Sequence, residues 1–175
     1  MNSTAGHDIR VEVVFLRPDG VSEATLRYRF AAATVSNGSC PDDVAAALAG
    51  VDRPGSLVGV LHSTSWRHEA RGGFVLTYAA LPDPDLTAPA TALTSPSVVA
   101  SGDPLRPSPD LVHAHHIAAH AVRHLADLAE RDPAISAVAR RPEHRSLWQA
   151  MSTVAATTPT GTHAEVHAAV GITRR

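Results

Sequence analysis

The sequence contains no lysine and only one cysteine. These two observations limit the partners that the protein can bind and the compartment in which we expect it. All fifteen basic residues are arginine, they form no long run, and the net charge is −2 with neutral histidines. Binding along a phosphate backbone relies on clustered positive charge, so nucleic acid is excluded as the main partner. A single cysteine cannot form an internal disulfide, which fits a reducing compartment.

Long apolar runs are missing as well. No segment approaches the roughly 18 continuous apolar residues of a membrane-spanning helix, so we predict no membrane span. The first residues lack the basic start and apolar stretch of a secretory signal, and we therefore expect a cytoplasmic protein. Hydrophobic residues make up 44% of the chain and aromatic ones 4%, which predicts a globular core of alanine, valine and leucine.

The order of apolar patterns predicts one α+β domain over residues 9–151. Two hairpins, over residues 9–30 and 55–81, would form a mixed sheet, with a short helix at residues 41–49 between them. This sheet would pack against a long histidine-rich helix and C-terminal helices. Outside these elements we expect a disordered tail at residues 1–8, a long proline-rich loop at 82–109, and a tail at 152–175 that is disordered or partly helical, the helical part being 163–170.

The longest helix is predicted over residues 108–131, with Ser108 as N-cap and Pro109 at the first helical position. Asp132 precedes a proline, which ends the helix. At 100° per residue the apolar stripe consists of Ala114, Ile117, Ala121, Leu125 and Leu128. We expect this stripe to pack against strand residues such as Val58, Val60, Leu76 and Tyr78.

A second stripe on the same helix consists of His113, His116, His120 and His124, and continues through Asp127 and Arg131. Histidines four residues apart can reach one divalent ion, and Asp127 lies one turn beyond His124. A divalent metal cofactor held by His116, His120, His124 and Asp127 is therefore one hypothesis. A partly exposed amphipathic helix is the alternative. If the stripe is semi-buried, crowding and burial should lower the pKa of these histidines, so stability should fall in acid, whereas a solvated stripe predicts stability that does not change with pH.

A dense polar and aromatic run, HSTSWRHE, ends the first strand of the second hairpin. We expect this strand over residues 56–66, the connection over 67–73 and the returning strand over 74–81. Polar side chains at such a strand end can line a crevice, where Trp66 would stack on a planar ligand and Arg67 would pair with a phosphate or carboxylate. The predicted ligand-binding residues are His62, Ser63, Trp66, Arg67 and Tyr78. A strand end in which Trp66 covers the sheet edge is the alternative.

A hairpin and a short helix come before the second hairpin, which lies in the segment GSLVGVLHSTSWRHEARGGFVLTYAALPD. In this order of elements and in this segment, the chain resembles a Nudix-type domain over about residues 9–130. The resemblance implies a mixed sheet and a nucleotide-related ligand. It does not extend to the Nudix box, whose glutamates hold magnesium and position water. The stretch that should contain the box offers only Asp42 and Asp43. A divergent member without ordinary diphosphate hydrolysis is therefore expected.

These observations favour a domain that binds or processes a small molecule, with the site between the strand end at residues 62–69 and the histidine stripe. Two alternatives remain. One is a metal-dependent enzyme centred on the histidine stripe, and the other is a protein-interaction domain whose alanine-rich helices form a homodimer.

Overall fold

The computed structural model describes residues 8–20, 25–69, 73–101, 103, 109 and 111–162. Its main feature is a five-stranded mixed sheet with helices on both faces, which confirms the predicted α+β fold. The strands are β1 (Asp8–Pro18), β2 (Leu26–Thr34), β3 (Val60–Glu69), β4 (Gly73–Leu81) and β5 (Thr91–Ala92), in the spatial order β3-β4-β1-β2-β5. Two further strands, β6 (Val98–Ala100) and β7 (Thr160–Thr162), form a separate parallel pair.

The helices are α1 (Pro41–Ala49), α2 (Ala114–Arg131), α3 (Pro133–Ala139) and α4 (Arg145–Thr157), with a single 3₁₀ turn at Pro142–His144 before α4. The bounds of α1 agree with the predicted short helix, because Pro41 at its first position and the left-handed Gly50 after its end are both helix-boundary residues. None of the described helices is both long and apolar enough to cross a membrane.

Both predicted hairpins are present. β1 pairs antiparallel with β2, β3 pairs antiparallel with β4, and the two hairpins join through parallel pairing of β1 with β4. The predicted connection at 67–73 was too long, because β3 continues to Glu69. Charged side chains at the end of β3 form ion pairs with side chains of β1. Arg67 binds Glu12, and Arg10 lies 3.4 Å from a carboxylate oxygen of Glu69. These ion pairs let charged residues continue the strand.

Each face of the sheet carries its own apolar cluster, because side chains alternate along a strand. One face packs on α2 and α4 through residues that include Val14, Leu16, Val60, Ala79 and Leu81. The other face packs on α1 through residues that include Val11, Val13, Phe15, Tyr78 and Ala80. We call these the α2 face and the α1 face of the sheet.

Helix α2 begins later than predicted, at Ala114. His113 precedes it in an extended conformation, and its backbone N–H donates to Nδ1 of His116 at 3.2 Å. The His116 ring thus satisfies a backbone donor at the helix start, and His113 is the N-cap instead of the predicted Ser108. Ser108 itself lies outside the described residues.

The buried side of α2 is also rotated from the predicted apolar stripe. Leu125 and Ala121 are buried as expected, but Ile117 and Leu128 are only partly buried and Ala114 is exposed. Ala118 and Val122 take their place in the core. Among the expected strand partners, Val60 does lie in this cluster, whereas Val58, Leu76 and Tyr78 pack on the α1 face. That part of the prediction was wrong.

The proline-rich segment is fixed to the sheet at its beginning. Asp83 is 2% exposed and accepts hydrogen bonds from Arg29 at 2.6 Å and from Arg17 at 3.3 Å. Arg17 also donates to the backbone carbonyls of Asp85 and Ala88, each at 2.8 Å. The segment further contributes β5 and β6, so it contains regular structure that its irregular sequence did not predict.

The C-terminal tail was predicted to start at residue 152, but α4 continues to Thr157. Met151 and Val154 are buried on the α2 face, and the hydroxyl of Thr158 donates to the Val154 carbonyl at 2.6 Å. β7 then pairs with β6. The predicted helix at residues 163–170 lies outside the described residues.

Candidate functional site

A crevice with a volume of about 180 Å³ separates the second half of β3 from the first half of α2. Its third side is formed by β6 and the chain preceding α2. The described lining residues are Ser65, Trp66, Arg67, Val98, Val99, Pro109, Val112, His116, Ile117 and His120. A cavity therefore lies at the junction of strand end and histidine-bearing helix, the place where we predicted a ligand site.

A β-bulge in β3 determines which side chains reach this crevice. Ser63 pairs with Tyr78 and Ser65 with Thr77, so Thr64 is an extra residue between them. An extra residue reverses the alternation of side chains beyond it. His62 therefore points to the α2 face before the bulge, and Ser65 and Arg67 point to the same face after it.

Ser63, Trp66 and Tyr78 lie on the α1 face, away from the histidines of α2, and of these only Trp66 is turned there by the bulge. Residues directly paired in antiparallel strands point to the same side, and Ser63 pairs with Tyr78. The Tyr78 hydroxyl donates to the carboxylate of Asp42 on α1, and burial, followed by this contact, raises the pKa of Tyr78. The prediction that Tyr78 and Ser63 share a site with His62 is therefore corrected by the register.

Trp66 borders the crevice, but its ring has neighbours on the α1 face. The ring centroid lies 5.8 Å from that of His68 and 6.0 Å from that of Phe74, and Trp66 is 54% exposed. This geometry agrees with the alternative in which Trp66 covers the sheet edge. A planar ligand stacked on this ring would lie outside the crevice.

Arg67 reaches the α2 face but already has a carboxylate partner. Its Nη2 donates to Oε2 of Glu12 at 2.9 Å, and its Nη1 donates to the other oxygen of the same carboxylate. Thr77 closes the network, since its hydroxyl donates to Glu12 at 2.7 Å and accepts from Arg67 at 3.2 Å. Glu12 is only 4% exposed. The positive charge that we assigned to a ligand anion is thus compensated within the protein.

His116 and His120 line the crevice from α2, and each is oriented by one backbone contact. Nδ1 of buried His116 accepts from the backbone of His113, as described above. Nε2 of His120 lies 3.2 Å from the backbone carbonyl oxygen of Thr64, the bulge residue. The bulge and the helix are therefore joined directly across the base of the crevice.

His124 lies one turn further along α2 and stacks on His62 of β3, with ring centroids 5.3 Å apart. Its Nε2 is buried and has no hydrogen-bond partner in the part of the chain that the structure describes. Burial lowers the pKa of His124, and the neighbouring His62 and His120 lower it further, while Asp127 opposes them. The ring is therefore held in its neutral form.

The four predicted metal ligands do not converge. His120 and His124 have nearly parallel rings with centroids 6.3 Å apart. The ring of His116 accepts a hydrogen bond from the backbone of His113, and Asp127 forms an ion pair with Arg131. Nitrogen lone pairs lie in the ring plane, so parallel rings do not point at one ion about 2.1 Å from each nitrogen. Among the described residues, no group of three or more histidine, cysteine, aspartate or glutamate side chains is placed to hold a metal.

A wider groove of about 650 Å³ continues from the crevice between α2 and α4. The two cavities share Val98 and His120. The groove is more polar at its α2 side, where Arg123, Asp127 and Glu130 lie, and it is lined by small residues of α4. His120 thus stands where the two cavities meet.

We predict that acid destabilises this protein through His124. Its folded-state pKa is lowered, so between that value and the unfolded value of about 6.5 the unfolded chain binds more protons. Stability should be full above about pH 6.5, fall as the pH drops below it, and level off below the folded-state pKa. Thermal melts from pH 8 to 5 measure this loss.

The matched variant is His124→Phe, which keeps a flat ring against His62 and cannot be protonated. Its acid loss should be smaller than that of the wild type. An equal loss in both proteins would show that other groups cause it. Repeating the melts with a chelator tests the metal hypothesis, because a bound metal needs neutral imidazoles and its removal would change the acid profile.

Comparisons with protein-family models, with curated proteins and with solved structures found no match.

Proposed function

We propose that this protein is a binding domain for a compact small molecule and that the ligand occupies the crevice between β3 and α2. The observation that carries this proposal is the mixed lining of the crevice. Valine and isoleucine side chains form its walls, and two imidazoles with fixed orientations and the Ser65 hydroxyl face it from rigid elements. A few fixed polar groups on an apolar wall are typical of small-molecule sites.

The size of the crevice limits the ligand. Pockets that bury drug-sized ligands span about 300–1,000 Å³, and this crevice has about 180 Å³. It can bury a single ring rather than a complete nucleotide. A longer ligand would place one ring in the crevice and extend past His120 into the groove between α2 and α4.

Filling the crevice tests this proposal, and the bulge supplies a matched control. Ser65→Phe places an aromatic ring in the crevice, whereas Ser63→Phe makes the same change two residues earlier, at an exposed position on the α1 face. A panel of single-ring fragments should shift the backbone amide signals of Ser65, Val99 and Ile117 in the wild type and in Ser63→Phe. These shifts should be lost in Ser65→Phe. A panel that shifts none of the crevice amides in the wild type would reject the proposal.

We also propose that any relationship to Nudix domains is one of fold without ordinary hydrolysis. The proposal starts from the order of elements, a hairpin, then α1, then a second hairpin. The first turn of α1 carries Asp42 and Asp43 instead of paired glutamates, and Asp42 is already bound to the Tyr78 hydroxyl.

Incubation with magnesium and a panel of nucleoside diphosphate derivatives should therefore release no product above background. Asp42→Asn is the diagnostic variant. Turnover in the wild type that Asp42→Asn abolishes would contradict this expectation and give α1 a catalytic role.

A further inference from the structure

We propose that the crevice selects an uncharged molecule that donates a hydrogen bond to Nδ1 of His120. Candidate ligands are imides, lactams and phenols, which carry an N–H or O–H group on a compact ring. This inference rests on the proposed function, since it assigns the chemical class of the ligand in the same crevice.

The backbone carbonyl of Thr64 determines the tautomer of His120. A carbonyl oxygen only accepts hydrogen bonds, so the 3.2 Å contact requires a proton on Nε2 of His120. In a neutral imidazole the other nitrogen is then an acceptor without a proton. Because Nε2 is directed at the strand, Nδ1 is the polar atom that this ring can offer to a ligand.

The bulge is what makes the Thr64 carbonyl available. In a regular antiparallel ladder this carbonyl would have a place in the strand pairing, but Thr64 is the extra residue between two paired neighbours. Its hydroxyl is used within the sheet and donates to the Thr77 carbonyl at 3.2 Å. Bulges often re-aim groups beside functional sites, and here the bulge directs a backbone acceptor at a helix histidine.

The charge balance of the lining favours a neutral ligand. Arg67 is the one permanently charged residue among the described lining, and Glu12 compensates it through both carboxylate oxygens. An anion or a cation would give up its hydration in the crevice without an unpaired opposite charge to replace it. A neutral donor loses less hydration and gains the His120 acceptor.

The walls fit a flat, partly apolar ring. Val98, Val99 and Ile117 contribute apolar surface to the lining of the crevice, and Ser65, His116 and His120 contribute polar groups. A ring between these walls can direct one edge at His120. Uracil and phenol combine this shape with an N–H or O–H donor and are suitable probes.

The tautomer can be tested without any ligand. Long-range proton–nitrogen NMR spectra at pH 7.5 should show that Nε2 of His120 is protonated and that Nδ1 is not. A proton on Nδ1 would overturn the inference directly, because the ring would then offer no acceptor to the crevice.

The ligand class is tested by titrating the protein with uracil and with 1,3-dimethyluracil, which keeps the ring and lacks both N–H donors. Uracil should bind about tenfold more tightly, the factor expected from one net hydrogen bond. His120→Phe should remove most of this preference, because its side chain is still a flat ring but offers no hydrogen-bond acceptor. His115→Phe, the same change on the same helix outside the described crevice lining, should leave the preference unchanged.

The outcomes separate the two proposals. Equal binding of both probes in the crevice, or a preference that survives His120→Phe, would overturn the donor inference and leave the binding site standing. Binding of neither these probes nor any other single-ring fragment would reject the binding function itself, and the ligand class with it.

Discussion

Leu125→Ala should lower the free energy of unfolding by about 2–5 kcal/mol, the range for removing a fully buried leucine. Leu125 has no exposed surface and lies in the cluster that joins α2 to the sheet and to α4. The same cluster contains Val60 of β3, Ala79 of β4 and Met151 of α4. The substitution would therefore leave a cavity in a cluster that several elements share, and closing it would require these elements to move.

Denaturant unfolding followed by circular dichroism measures this effect. Leu111→Ala is the matched control, because Leu111 is 47% exposed and its truncation should change stability by no more than about 0.5 kcal/mol. A loss below half a kilocalorie for Leu125→Ala would mean that α2 does not pack on the sheet. The crevice between α2 and β3 would then lose its structural basis.

The elements that sequence reasoning placed well have strong local signals. α1 runs from Pro41 to Ala49 as expected, since a proline and a glycine mark its two ends. The β1–β2 hairpin follows from the apolar and alternating patterns of its two strands. These signals depend on neighbours in the chain, so a single sequence is sufficient to read them.

The orientation of α2 could not be read in the same way. Alanine occurs on every side of this helix and buries little area wherever it lies, so the apolar stripe was defined mainly by Ile117, Leu125 and Leu128. Leu125 is buried as predicted, but Ala118 and Val122 occupy the core in place of Ile117 and Leu128. The reason is that α2 packs on both the sheet and α4, and small side chains allow close packing on two sides. Close approach is a tertiary property that local hydrophobicity does not report.

The candidate site shows the same division. The sequence located its two components, the polar end of β3 and the histidines of α2, and these do meet at one crevice. Which side chains face the crevice depends on the extra residue Thr64, and a bulge depends on strand register rather than on local composition. Without the bulge, Trp66 would have faced α2 together with His62. Because of the bulge, Arg67 faces α2 instead, and its partner Glu12 is 55 residues away in the chain.

That long-range pair leads to the second large expected effect. Arg67→Met should destabilise the protein by about 3–5 kcal/mol, because it leaves the buried carboxylate of Glu12 without its main compensating charge. Thr77 still donates to this carboxylate at 2.7 Å, but Arg10 approaches it only to 3.8 Å, and 43% of its side chain is exposed. Neither contact replaces a guanidinium bound to both oxygens.

Arg131→Met is the control for removing an ion pair as such. Arg131 pairs with Asp127 on the exposed surface of α2, where such pairs contribute about 0.3–0.5 kcal/mol.

The double variant Glu12→Leu with Arg67→Met distinguishes an unpaired charge from lost packing. It should recover most of the loss, since the buried carboxylate is then absent and an apolar pair fills similar space. A double variant as unstable as Arg67→Met alone would mean that the arginine stem, and not its charge, supports this end of the sheet.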